Sequence, residues 1–294
     1  MKHTVKAHGR RQALSLIFKR RLLSWILGGR SDRRAKRFAV LPGDDVSNEI
    51  LVSGLYEETL LAPLFEHYLA SSREQFATGI ALDVGANIGN HSLYFARYFK
   101  RTIAVEPNPV ALAVLRCNVA LTTAANVEVC PFGLGQEDGQ FQFAQNDSGN
   151  LGGSGFRFAG LSSGTSIDCE VRRGDATFTP EWLGGPLRLI KFDIEGAELA
   201  ALRGLQHTIL RERPIILFES NLSDGETGGN AVVALLRTFG YAHFAVLEDA
   251  NLGRGKWAKF TRLALLGENV EWKTVETLVE RRYPMVVATV LPVL

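Results

Sequence analysis

"GIALDVGANIGNHSLYFARYFKRTIAVEPNP", Gly79–Pro109, decides the fold of this chain. It reads as a short apolar strand, a glycine-punctuated turn, a helix and a second strand that ends in an acid. The rhythm continues downstream. "PVALAVLRCNVAL" reads as a helix and "NVEVCPFGL" as a third strand. From about Gly135 to Gly185 the composition shifts to Gly, Ser, Asn and Asp, with alternating segments "GQFQFAQ" and "CEVRRGD" that read as a β-hairpin with loops. "LRLIKFD", "RPIILFES" and "YAHFAVLED" are then strands, separated by the helices "AELAALRGLQHTIL" and "GNAVVALLRTFG". Strands alternating with helices predict an α/β fold with a doubly wound, mostly parallel sheet. "WAKFTRLALLG" and "YPMVVATVL" supply closing strands. Upstream, residues 31–55 read as a polar lead-in and "YEETLLAPLFEHYLASS" as a helix.

The chain has 294 residues, 46% hydrophobic and 22% charged, the balance of an ordinary globular protein with a sizeable core. Residues 1–53 are expected to form a basic N-terminal arm and helical lead-in, and residues 54–294 one main domain. Cys117, Cys130 and Cys169 show no C-x-x-C spacing, and their odd number argues for a reducing compartment, hence the cytoplasm.

The net charge of +2 hides an asymmetry, because the first 37 residues are crowded with Lys and Arg and hold one acid, Asp32. There Leu14, Ile17, Phe18, Leu22, Trp25 and Ile26 recur at helical spacing beside Lys19, Arg20 and Arg21. Such a helix packs on its own domain or a second subunit, remains solvated, or lies peripherally on an anionic membrane. Its apolar runs are too short to span a bilayer. "RLLSWILGGRSDRR" lacks the cleavage site of a secretory signal. Nucleic acid is a possible attractor of the arm through charge alone and is not expected, because no regular aromatic-basic pattern supports it.

Three constellations carry chemistry. In "LDVGANIGNHS" Asp83 ends a buried strand, and Gly85 and Gly89 precede a helix, at the sheet edge where open α/β folds bind ligands. The spacing D-x-G-x-x-x-G departs from the dinucleotide fingerprint, and Asp83 is hostile to phosphate. A cationic ligand with an amino-acid tail, such as S-adenosylmethionine, suits it better. Glu106 follows the glycine turn by about 20 residues, where an acid accepts hydrogen bonds from a ribose. In "LIKFDIEGAELAALRGL" Lys191, Asp193 and Glu195 recur at every second position of an apolar run, with Glu198 at the next helix. Charges on a covered sheet face mark an ion pair or a working site, and Lys191 with Glu219 is a candidate buried pair.

Other chemistries lack their signatures. There is no G-x-S-x-G elbow, no P-loop lysine motif and no H-x-x-x-H ligand spacing, so no metal is expected. A hard cation at Asp193 and Glu195 is left open. His91 and His243 are weighed as proton carriers, with packing or capping the plainer reading.

"DVGANIGNHSLYFA", "AVEPNP", Asn118 in "LRCNVAL", "NLGGSG", "VRRGD", "IKFDIEGAELAALRGL" and "PIILFE" together resemble the FkbM family of S-adenosylmethionine-dependent methyltransferases, from roughly Gly54 to Glu219. The resemblance implies a class I methyltransferase fold, Rossmann-like, with a seven-stranded sheet. It implies that Asp83, Gly85, Asn87, Gly89 and Asn90 surround the methionine part of the cofactor and that Glu106 holds its ribose. Phe132 and Gly133 match the place where the family passes the adenine. Asn150 matches a recurring asparagine near the substrate. The implied reaction is methyl transfer to a hydroxyl of a saccharide, glycolipid or secondary metabolite. Asp193 is then the first candidate for orienting the acceptor or removing its proton, Glu195 the second, and Glu198 either a third or a helix-terminal carboxylate. An NAD(P)-binding oxidoreductase and a non-catalytic cofactor-binding module are the competing readings. Acceptor identity and oligomeric state are open.

Overall fold

A computed structural model describes residues 38–42, 44–144, 155–156, 166–194, 196–220, 228–249, 270–279 and 281–293. The first helix is α1 (Asp45–Ser53), within the stretch read as a polar lead-in. Asp44 caps it by accepting from the Ser47 amide, and Gly54 ends it at φ 86°. The helix expected in "YEETLLAPLFEHYLASS" is broken into α2 (Glu58–Pro63), a π-turn over Leu64–Tyr68 and a 3₁₀ turn, before α3 (Arg73–Thr78). Pro63 brings no N–H to the ladder, and the turn after it is wide, with Leu69 N–H donating to Leu64.

The deciding stretch folds as expected into β1 (Ile80–Val84), α4 (Asn90–Phe95) and β2 (Arg101–Val105). Next come α5 (Pro109–Thr122), capped by Asn108 and opened by Pro109, and β3 (Val127–Cys130). Pro131 then stops the ladder, so "NVEVCPFGL" supplies two strands in two different sheets: β3 and β4 (Gly133–Gly135). The expected hairpin is β5 (Gly139–Ala144) with β7 (Ser166–Arg173), enlarged by β4 and β6 (Gly155–Phe156) to a four-stranded sheet of order β4-β7-β5-β6. After α6 (Gly174–Thr177) and α7 (Pro180–Leu183) the α/β rhythm returns with β8 (Leu187–Phe192), α8 (Glu198–Gly204), α9 (Gln206–Glu212), β9 (Ile215–Ser220) and α10 (Gly229–Thr238). The closing strands are β10 (His243–Asp249), β11 (Val270–Thr274) and β12 (Tyr283–Thr289). "WAKFTRLALLG" and the basic arm lie outside the described residues.

The main sheet has eight strands in the order β11-β10-β12-β9-β8-β1-β2-β3, one more than expected. Pairs from β9 to β3 are parallel, and β12, β10 and β11 run antiparallel. Apolar side chains alternate between its two faces. Leu82, Val84, Ile190, Phe192, Ile216 and Phe218 face α8, α9 and α10 in the larger core. Ala81, Leu189, Leu217 and Val287 face Leu61, Phe65, Phe76, Tyr94 and Phe95 on the other side.

The small sheet is fixed over the carboxyl ends of β2 and β8. Cys169 Sγ donates to the Pro107 carbonyl at 3.3 Å, and Cys169, Val171 and Ala197 form a cluster joined by Ile194. Residues before α1 are tied down as well, because Asn118 on α5 accepts from the Ala39 amide and donates to the carbonyls of Ala39 and Ile88. Among the described residues no helix is long and apolar enough to cross a membrane.

Candidate active site

The alternation that builds the core also builds the site. On the face of β1, β8 and β9 that packs against α2 to α4, Ala81, Leu189 and Leu217 are apolar. One step further along the same face stand Asp83, Lys191 and Glu219. Asp83 and Lys191 are paired neighbours in register and both are buried. The charges therefore gather where three parallel strands end, beneath the turns that leave the sheet.

Asp83 is fully buried, and its Oδ2 accepts from Ser92 Oγ at 2.6 Å. Its Oδ1 has no hydrogen-bond donor and lies 3.8 Å from Lys191 Nζ. The turn that follows brings Gly85, Asn87 and Gly89 into left-handed conformations at φ 83°, 49° and 95°. The Gly85 and Ala86 amides both donate to the Val105 carbonyl, which binds the turn to β2. Glu106, at the end of β2, is buried and accepts from the Asn87 amide at 2.7 Å and the Asn108 amide at 2.8 Å. Burial pushes its carboxyl up to about 7 against the pull of those two amides. Asn87 Oδ1 is a second buried acceptor without a donor.

Beside this pocket is an ionisable cluster. Lys191 Nζ donates to Asp193 Oδ2 at 2.8 Å. Burial opposes the charge on Asp193, but Lys191, with smaller help from His91, holds the carboxyl below its ordinary range. Burial and the adjacent Asp193 push Glu219 up to about 7. Arg282, just before β12, donates from Nε to Glu219 Oε1 at 2.7 Å, and its Nη2 lies 2.7 Å from the same oxygen in an ion pair. From the α1–α2 connection come Glu57, whose Oε2 is 3.2 Å from His91 Nε2, and Tyr56, whose phenol is raised by burial and by Glu57 and Asp193.

The residues expected from sequence divide by what they touch. Asp83, Asn87, Glu106 and Asp193 converge at the strand ends. Gly85 is packed against the turn after β8 rather than opened toward a void: a Cβ there would stand 1.9 Å from the Asp193 carbonyl oxygen. A Cβ on Gly89 would meet the Leu115 side chain. Asn90 exchanges both of its amide hydrogen bonds with the backbone of Tyr56, holding that tyrosine's segment over the site. Phe132 is buried near Phe178 with the Arg172 guanidinium over its ring, and Gly133 opens β4. Glu198 begins α8, and its Oε1 accepts from the Ile194 amide at 3.4 Å. Glu195 and Asn150 lie outside the described residues.

Lys191 does not pair with Glu219 as anticipated. Asp193 and Asp83 are nearer to its ammonium, and Arg282 takes Glu219 instead. Sequence reading missed Tyr56, Glu57 and Arg282, which reach the cluster from opposite ends of the chain. None of the three carries the signal of a strand-terminal acid that marked Asp83, Glu106, Asp193 and Glu219.

A family model for the methyltransferase FkbM domain matches residues 83–243, more than half of the chain and all the strand ends just described. The chain belongs to the FkbM methyltransferase family. This methyltransferase is 25% identical to "Methyltransferase 1" of Beauveria bassiana (strain ARSEF 2860), over 55% of its own length and 71% of that relative. Among solved structures it is similar to methyltransferase FkbM from Methylobacillus flagellatus KT, at 17% identity and a TM-score of 0.42. That match covers 94% of the present chain, which spans 60% of the Methylobacillus one. A second is precorrin-6y C5,15-methyltransferase from Geobacter metallireducens GS-15, at 13% identity and a TM-score of 0.38, covering 74% of this chain and 84% of that one. Membership of the FkbM methyltransferases rests on the sequence match alone.

Proposed function

We propose that this FkbM methyltransferase uses S-adenosylmethionine to methylate a hydroxyl of a saccharide, glycolipid or secondary metabolite. The observation that carries the reading is the pair of buried acceptors without donors, Asp83 Oδ1 and Asn87 Oδ1, beside a Glu106 already anchored by two amides. Buried acceptors without donors are costly, and a ligand rich in N–H and O–H groups relieves that cost. An ammonium and a ribose supply such groups. A pyrophosphate, which only accepts, does not, and this weighs against a dinucleotide.

In this reading Asp83 and Asn87 accept from the amino-acid end of the cofactor, and Glu106 gives its remaining lone pairs to the ribose hydroxyls. Gly85 and Gly89 shape the turn, Asn90 holds Tyr56 over it, and Phe132 and Gly133 line the adenine side. When bound, the cofactor supplies a methyl group activated by a positively charged sulfur. Asp193 accepts a hydrogen bond from the substrate hydroxyl and orients its oxygen, while Lys191 keeps the carboxylate ionised. Glu198 supports the turn that carries Asp193, with Glu195 and Asn150 assigned to the acceptor side. The surrounding carboxylates favour an uncharged acceptor beside a cationic cofactor.

Isothermal titration with S-adenosylmethionine, S-adenosylhomocysteine and NADH tests this. Saturable binding of the first two alone is expected, and binding of NADH alone would overturn it. We also infer that the basic arm brings the enzyme to an anionic membrane; deleting residues 1–30 should then abolish co-sedimentation with anionic vesicles, and unchanged sedimentation sinks the idea.

A further inference from the structure

Asp193 and Glu219 end neighbouring parallel strands. The β8–β9 register matches Lys191 with Leu217 and Phe192 with Phe218, so the next step brings Asp193 level with Glu219 on the same face. The two carboxyl groups act on each other, the charge on Asp193 opposing ionisation of Glu219. Ionised carboxyl groups are acceptors only, so two that stand side by side can join only by holding a proton between them. Their charges are met from opposite sides, Lys191 donating to Asp193 and Arg282 to Glu219.

We propose that Asp193 and Glu219 work as one unit, two carboxylates bridged by a single proton, and that this unit takes up the proton released by the acceptor hydroxyl. The proposal rests on the methyltransferase reading above and adds Glu219 to it as the place where the proton settles. In the step, the acceptor O–H bond breaks as its oxygen bonds the methyl carbon, and the methyl–sulfur electron pair stays with sulfur. The doubly ionised pair receives the proton and becomes the bridged form, which returns the proton to water once product has left. Two like charges in contact resist simultaneous ionisation, as in other carboxylate dyads. With Glu219 lifted to about 7 by burial and by Asp193, both forms are populated near neutrality. The other titratable and charged groups acting on the pair are Lys191 on β8, His91 on α4, Glu106 after β2, Tyr56 and Glu57 before α2, and Arg282 before β12.

The test needs no acceptor. Infrared difference spectra are recorded along a pH titration of the whole protein, and the Glu219→Gln spectra are subtracted from the wild-type ones. That subtraction isolates Glu219 from Glu106, which also titrates near neutrality. A carboxylic acid ionising around pH 7 is expected in the wild type. In Asp193→Asn, isolated against the matching double variant, its midpoint should fall by about one pH unit or more, because the shared proton and the repulsion are gone. A midpoint that stays put, or no neutral-range Glu219 signal in the wild type, overturns the shared proton. Calorimetry with S-adenosylhomocysteine on the same samples separates the two readings. Coupled titration without binding by the wild type would overturn the methyltransferase reading, and with it the role in methyl transfer, while the shared proton itself stands.

Discussion

The first carbon of a side chain at Gly85 would stand 1.9 Å from the carbonyl oxygen of Asp193. The two turns that hold the site, one after β1 and one after β8, are thus in backbone contact, and Gly85 is the only residue type that permits it. Its φ of 83° adds a second demand. Gly196 has a similar φ of 84° but open space where its Cβ would be. Gly85→Ala should therefore destabilise the protein clearly more than Gly196→Ala, for which left-handed strain alone costs about 1–2 kcal/mol. Urea unfolding of both variants measures the difference, and equal losses would refute the contact argument.

Lys191 serves two acids at once, partly exposed Asp193 at 2.8 Å and fully buried Asp83 at 3.8 Å. Lys191→Met keeps the aliphatic stem and removes the charge, leaving both carboxylates without it. Breaking one side of a buried pair costs about 3–5 kcal/mol. A loss of that order in the unfolding free energy from urea titration is expected. A near-neutral result would mean the ammonium contributes little.

Glu106 gives the apoprotein a pH dependence of definite sign. Its folded value, about 7, is above the ordinary 4.5, so the folded state binds the proton more tightly than the unfolded chain. Stability is therefore lost as pH rises from about 4.5 through about 7 and is flat beyond. Glu219 acts in the same direction. Glu106→Gln should flatten the fall in Tm across that window, measured by calorimetry at several pH values. A mutant curve parallel to the wild type would reject the assignment.

Asp83 and Asp193 should separate binding from chemistry. Asp83→Asn is expected to weaken S-adenosylhomocysteine at least tenfold, by replacing an anion with a neutral amide. Asp193→Asn should change that affinity by less than about threefold and slow methyl transfer by about 10²–10⁴ once an acceptor is found. Equal loss of affinity in both variants would contradict the division of roles.

Much of the site was legible because strand-terminal acids interrupt apolar runs. Asp83 and Glu219 stand at the last positions but one of β1 and β9, Glu106 and Asp193 directly after β2 and β8, and a charge in such a place announces itself in sequence. The broken helix at Pro63 and the split of "NVEVCPFGL" at Pro131 were marked by prolines yet read as continuous, because apolar periodicity ran through them. Helix α1 was missed because its short sequence "DVSNEILVS" lacks a strong apolar stripe, and its caps Asp44 and Gly54 are what define it.

The sequence by itself determined the α/β order, the acids at the strand ends and the family, because these follow from local periodicity and from motifs contiguous in the chain. Only the tertiary structure decided which charges meet. Lys191 turned to Asp193 and Asp83, Glu219 found Arg282, and Tyr56 and Glu57 arrived from before the first strand. Partner choice in a buried cluster depends on distances between strands and connections far apart in sequence, and no local pattern encodes those distances.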